Sequence, residues 1–244
     1  MPKRPFKRKI KRRRHGAAFW DHEYTEGGHL KLSESESEDL AKFTRWLSRQ
    51  KDITPIRAGD LAVDFGCGNG RNLVYLAQNF DLKGMGYDIS EAAIAEARRL
   101  SRGLSIKYEA RSMAGDFDLP DNSADIALDM MASHFLSEKE RAHLRDEIYR
   151  ILRPGGWLFM KTFLRDGDLH TRRLLAESPA KEDGSYIHPV IGVPEHAYGE
   201  EELVEFISER FKIHKVYRSH KHVSRGKARK RRTISIYAEK DPYQ

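Results

Sequence analysis

The sequence has 244 residues, enough for one domain with additions or for two small ones, and its 39% hydrophobic content with ten Tyr, eleven Phe and three Trp excludes wholesale disorder. Its one cysteine, Cys67, excludes an intrachain disulfide and a cysteine zinc cage and fits a reducing compartment, and no run approaches the roughly 18 apolar residues that span a membrane. The net charge of +7 is uneven: residues 1–14 carry nine Lys/Arg and 212–232 carry ten, neither with an acid, so +7 becomes −12 once those nineteen cations are set aside.

That distribution fits a polyanion such as RNA, contacted by the two basic segments at 3–14 and 212–232. Residues 1–14 read as a disordered basic arm, serving either nucleic-acid contact or as a solubility or targeting tail. The arm lacks the apolar stretch of a secretory signal, so the expected location is cytoplasmic. Residues 15–58 read as an N-terminal helical cap. Within it, 19–30 reads as an aromatic packed loop, whose Trp20 and Tyr24 either stack on a base or adenine or pack in the core. Ser35 with Glu38 matches a capping box, and Leu40, Phe43 and Leu47 predict a following helix of about 12 residues.

From residue 59 onward, strands and helices alternate. Strands are predicted at 61–65, 83–88, 106–109, 124–129 and 157–163. Helices are predicted at 71–78, at 91–100 with Ser90 as cap, and from the Ser137/Glu140 capping box to 152, where Pro154-Gly155-Gly156 ends the run. Residues 164–199 break the rhythm and read as an insertion, a candidate lid. A helix at 201–209 and antiparallel strands at 211–217 and 233–238 follow, with a basic loop at 218–232 between the strands. The class is α/β with a parallel sheet covered on both faces.

The strongest local signal is LAVDFGCGNGR at 61–71, a buried strand running through Gly66-Cys67-Gly68-Asn69-Gly70 into a helix. Glycines permit a tight turn and close approach of a ligand to bare backbone, and the helix start offers free N–H groups. A dinucleotide fingerprint requires a third glycine where Arg71 stands. Asp64 before the turn suits a cationic ligand better than a pyrophosphate. Asp88, at the end of the next strand, is placed to accept ribose hydroxyls. Together these describe a nucleoside with a positive or zwitterionic tail.

VDFGCGNGR, GYDIS, LPDNSADIALDM and ILRPGGWLFMKTF resemble, in order, the motifs of class I S-adenosylmethionine-dependent methyltransferases, over roughly residues 60–165. The resemblance implies a Rossmann-like, doubly wound, seven-stranded, mostly parallel sheet with an antiparallel last strand. It implies S-adenosyl-L-methionine as cofactor. Asp64, Gly66, Cys67, Gly68 and Gly70 would hold its methionine moiety, Asp88 its ribose and Ile89 its adenine. The stretch EARSMAGDFDLP is longer than the family pattern, and Ser112 and Met113, then Asp116, are the candidates for the adenine edge.

Methyl transfer needs the acceptor aligned with the methyl group beyond the ends of the fourth and fifth strands. No [DN]-P-P-[YF] tetrapeptide follows the fourth strand and no Pro-Cys nucleophile is present. LDMMAS and MKTF are similar to segments of heat-shock-type rRNA ribose 2′-O-methyltransferases, which use a Lys-Asp-Lys-Glu set. That resemblance implies Asp129 and Lys161 as the middle members, with Lys42 able to stand first and no Glu near Arg232-Thr233. The bland alternative has Asp129 touching the cofactor and Lys161 in a surface pair. His134 is the best-placed histidine base, with His188 and His196 further candidates in the insertion. His220 and His222 belong to the basic run. The histidines lack paired metal spacing, so no metal is expected. The expected enzyme acts on structured RNA, ribosomal or transfer. The alternatives are a small-molecule methyltransferase with its substrate enclosed by 164–199, and a non-catalytic RNA-binding scaffold.

Overall fold

The computed structural model describes residues 16–27, 33–50, 55–219, 223–224, 227–228 and 230–241. The basic arm at 1–14 and His220 and His222 lie outside them.

In chain order the elements are α1 (Ala17–His22), a π-helical turn (Glu23–Gly27), α2 (Glu38–Leu47), β1 (Leu61–Phe65), α3 (Arg71–Phe80), β2 (Lys83–Asp88), α4 (Glu91–Leu100), β3 (Ile106–Ala110) and β4 (Ala124–Met130). There follow α5 (Glu138–Ile151), β5 (Leu152–Phe163), α6 (Leu169–Glu177), β6 (Ser185–Ile187), β7 (Pro194–His196), α7 (Glu200–Ser208), β8 (Lys212–Arg218), β9 (Val223–Ser224), β10 (Lys227–Ala228) and β11 (Thr233–Glu239). Seven strands form one sheet in the order β3-β2-β1-β4-β5-β11-β8. The first five are parallel. β11 runs antiparallel to both β5 and β8, so the mostly parallel sheet carries its antiparallel strand last.

The period-2 pleat sends alternate side chains of β1 to opposite faces. Val63 and Phe65 join a core with Ile148 of α5 and Leu203 of α7, and Ala62 joins a core with Phe43 of α2 and Leu76 of α3. Both faces are therefore covered, as continuous apolar strands require. Ser90 caps α4 by accepting the Ala93 N–H at 3.1 Å, and the Ser137/Glu140 box opens α5.

Three local expectations are corrected. Residues 17–27 are helical rather than a loop, because Trp20 is buried against Ile191 and Val193. The expected Ser35/Glu38 box does not form: Ser37 is the N-cap, and its N–H donates to Asn72 Oδ1 at 3.2 Å, pinning α2 to α3. The 164–199 insertion is not irregular. Asp168 caps α6, and β6 and β7 form a hairpin around a small core of Leu174, Tyr186 and Ala197. No helix among the described residues is long and apolar enough to cross a membrane.

Candidate active site

The strand order reverses between β1 and its two neighbours, β2 and β4. In a doubly wound sheet the crevice at the carboxyl ends of such strands is the ligand site. A cavity of about 380 Å³ opens there. Gly66, Cys67 and Gly68 form one wall, Asp88, Ile89, Ser112 and Met113 a second, and Met130–Ala132, Phe135 and Lys161 a third. Trp20, Tyr24 and Ser37 from the N-terminal segments complete it.

Gly66 and Gly70 have φ of +72° and +74°, a region that only glycine occupies without strain. A side chain at Gly66 would collide with Ala132, and one at Gly70 with the Tyr108 hydroxyl. The Gly66 and Cys67 N–H groups donate to the Tyr87 carbonyl at 2.7 and 2.9 Å, and Gly68 N–H donates to Asp88 Oδ2 at 2.9 Å. Asp88 Oδ1 accepts from Ser90 N–H at 3.0 Å. Burial raises the Asp88 carboxyl above its ordinary range despite these donors.

Asp64 does not line the cavity. It lies behind Asn72, which does. Its Oδ2 is buried without a partner. Burial and the charge of Asp129 push this carboxyl up to about 8. A carboxyl raised by burial and by neighbouring carboxylates gives up its proton more readily when a cation enters beside it.

The sequence-predicted residues thus separate. Gly66, Cys67, Gly68, Asp88, Ile89, Ser112, Met113 and Lys161 share the cavity. Gly70 N-caps α3 beside it. Asp116 stands outside, 3.0 Å from His143. Asp129 is not brought to Lys161: in the β4–β5 register Met130 is level with Lys161, and Asp129 with Met160. The one-residue offset turns Asp129 to the opposite face, where it accepts Ser133 N–H at 3.1 Å beside a second, small cavity. Burial pushes its carboxyl up to about 6.

The acid at Lys161 is instead Asp39 of α2, ion-paired to it, with Lys42 on the other side of Asp39 at 3.2 Å. Those two cations hold the Asp39 carboxyl below its usual range, against the opposing effect of burial. Sequence reasoning missed Asp39 because it lies 122 positions from Lys161. Asn72 was missed as well, although a polar residue two positions after the glycine turn was a visible signal.

The histidines are not in the cavity. His134 is buried against Phe135 and Phe163, with ring centroids 4.1 and 5.1 Å away, and burial pushes its pKa down to about 4. His196 is held by Ser185 at 2.9 Å and by Glu202 at 2.8 Å. His188 Nδ1 accepts the N–H groups of Val190 and Ile191 at 3.3 Å. These contacts place all three in the packing beneath the insertion.

Residues 62–156 match the family described as "Methyltransferase domain". This part of the chain is a methyltransferase domain. A SAM-dependent methyltransferase from Methanosarcina mazei superposes with a TM-score of 0.66 at 25% identity, over 78% of this chain and 99% of that one. The 27-O-demethylrifamycin SV methyltransferase of Amycolatopsis mediterranei is 31% identical over 154 residues, 61% of this chain and 55% of that protein. The tRNA (carboxymethyluridine(34)-5-O)-methyltransferase of Arabidopsis thaliana is 28% identical over 122 residues, 49% of this chain and 28% of that protein. This chain spans about half or less of the length of these two curated relatives. The cofactor of such methyltransferases is S-adenosylmethionine. The residues present fit it: a bare glycine turn, the acid Asp88 on the adjoining wall and, behind the cavity, the buried Asp64 carboxyl with an unpartnered Oδ2.

Proposed function

We propose that this methyltransferase acts on RNA, transferring the methyl group of S-adenosylmethionine to an acceptor seated between the glycine turn and Lys161. Bound there, the cofactor supplies an activated methyl group on a sulfonium. Gly66, Cys67 and Gly68 border its methionine tail. Asp88 accepts from the ribose, and Ile89, Ser112 and Met113 enclose the adenine. Lys161, oriented by Asp39, is a cationic donor on the acceptor side, and Phe135 and Trp20 exclude water.

The observation that carries the RNA reading is where the two cationic segments are tethered. The described chain enters at Gly16, four residues before Trp20 on the cavity wall. The other basic segment returns to the sheet at Thr233, which pairs with Phe163, two residues beyond Lys161 on β5. Both segments therefore attach at the rim of one cavity, where phosphates flanking a target nucleotide would pass. Not every cation in 212–232 is available: Arg218 pairs with Glu200, and Arg231 with buried Glu195.

A small-molecule substrate is the second reading. It is favoured by Ile191 and Val193 of the insertion, which pack with Trp20 and Phe135 at the cavity. Incubation with radiolabelled cofactor and separated RNA, protein and metabolite fractions decides between them. Label in RNA that falls steeply with salt, and falls again when residues 1–14 are deleted, is the expected result. Label confined to metabolites, indifferent to salt and deletion, refutes the RNA reading.

A further inference from the structure

Residues 16–27 touch the cofactor side of the cavity through three side chains. Asp21 accepts hydrogen bonds from Ser90 Oγ at 2.7 Å and from Ala92 N–H at 3.1 Å, so the segment is fastened to the start of α4, two residues beyond Asp88. Trp20 lies edge-on to Phe135, with centroids 4.8 Å apart, and joins Ile89, Ile191 and Val193 in a small apolar cluster. Tyr24 lines the cavity together with Asp88, its phenol on the side of the Asp88 carboxylate. The Gly68 and Ser90 N–H groups give Asp88 two donors. A carboxylate has about four acceptor sites, so about two remain, enough for the Tyr24 hydroxyl and a ribose hydroxyl together.

We infer that residues 16–27 form a strap over the nucleoside half of the cofactor, with Asp21 as its latch and Tyr24 positioning Asp88 for the ribose. This rests on the reading of the cavity as the S-adenosylmethionine site. The strap is a short element held by few contacts, and such elements dock with low stability of their own. A nucleoside that fills the space beneath Trp20 and Tyr24 adds contacts to the docked state alone. Docking and binding therefore strengthen each other by the same factor.

The test uses the full chain, with S-adenosylhomocysteine as the probe, calorimetry for affinity and amide hydrogen exchange for the strap. Y24F removes the hydroxyl beside Asp88 and D21A removes the acceptor of Ser90 and Ala92, and each is expected to weaken binding about three- to tenfold, the worth of one net hydrogen bond. The probe is expected to slow exchange across 17–27 in the wild type, and less so in D21A. Unchanged exchange at 138–151, a helix the strap does not touch, serves as the folding control in the free variants. Failure of the wild type to bind the probe overturns the reading of the cavity itself. Wild-type binding with both variants equally tight and no protection of 17–27 overturns the strap alone. Tighter binding by Y24F also overturns it, because Tyr24 would then occupy the ribose position instead of sharing Asp88.

Discussion

Asp64→Asn tests the electrostatics on which the site depends. Asp64 is buried, its Oδ2 has no partner, and its carboxyl is pushed up to about 8 from an ordinary 3.8 by burial and by Asp129. A carboxyl whose folded pKa is raised contributes stability that is complete below the unfolded value and is lost as pH rises towards the folded one. At about 1.4 kcal/mol per pH unit, the wild type should lose about 3 kcal/mol between pH 5 and pH 7 from this group. The amide does not titrate, so D64N should lack that loss. Urea unfolding at the two pH values, followed by tryptophan fluorescence, reads the difference directly. In the same variant, S-adenosylhomocysteine affinity should no longer rise between pH 6.5 and pH 8.5, because no proton is displaced by the ammonium of the ligand. A wild-type-to-D64N stability gap that is the same at pH 5 and pH 7 would refute the reasoning.

Gly66→Ala forces a side chain into Ala132 at a positive φ, and should cost about 2 kcal/mol by urea unfolding while abolishing probe binding by calorimetry. His134 is buried with its pKa pushed down to about 4, so its contribution to stability is present above its ordinary 6.5 and lost as pH falls through 4. His134→Phe should remove that part of the acid unfolding limb in pH-dependent melts, with methyl transfer changed no more than a few-fold, since the ring lies outside the cavity. Arg231→Ala leaves Glu195 buried without its 2.8 Å cation and should cost about 3 kcal/mol in urea unfolding. Adding Glu195→Gln should recover part of it, and a double-mutant cycle without coupling would count against the pairing.

What could be read from the residue order was whatever depends on neighbours in the chain. Alternating apolar strands and amphipathic helices specified the doubly wound sheet, because the periods 2 and 3.6 each leave their own pattern. The glycine turn, Asp88 and the Ser90 cap were legible for the same reason: a positive φ, a strand-end acid and an N-cap are each satisfied within a few residues. The insertion was not legible, because its three-residue strands are too short to show a period and its interior mixes buried Glu195 and His196 with apolar residues.

Which side chains meet across the cavity was decided only by tertiary structure. Asp129 and Lys161 stand at corresponding ends of adjacent strands, yet the register turns them to opposite faces and brings Asp39 from α2 to the lysine. A shift of one residue in a pleated strand reverses the direction of its side chains. Sequence spacing along a strand end is blind to that parity, and blind also to a helix that docks from more than a hundred residues away.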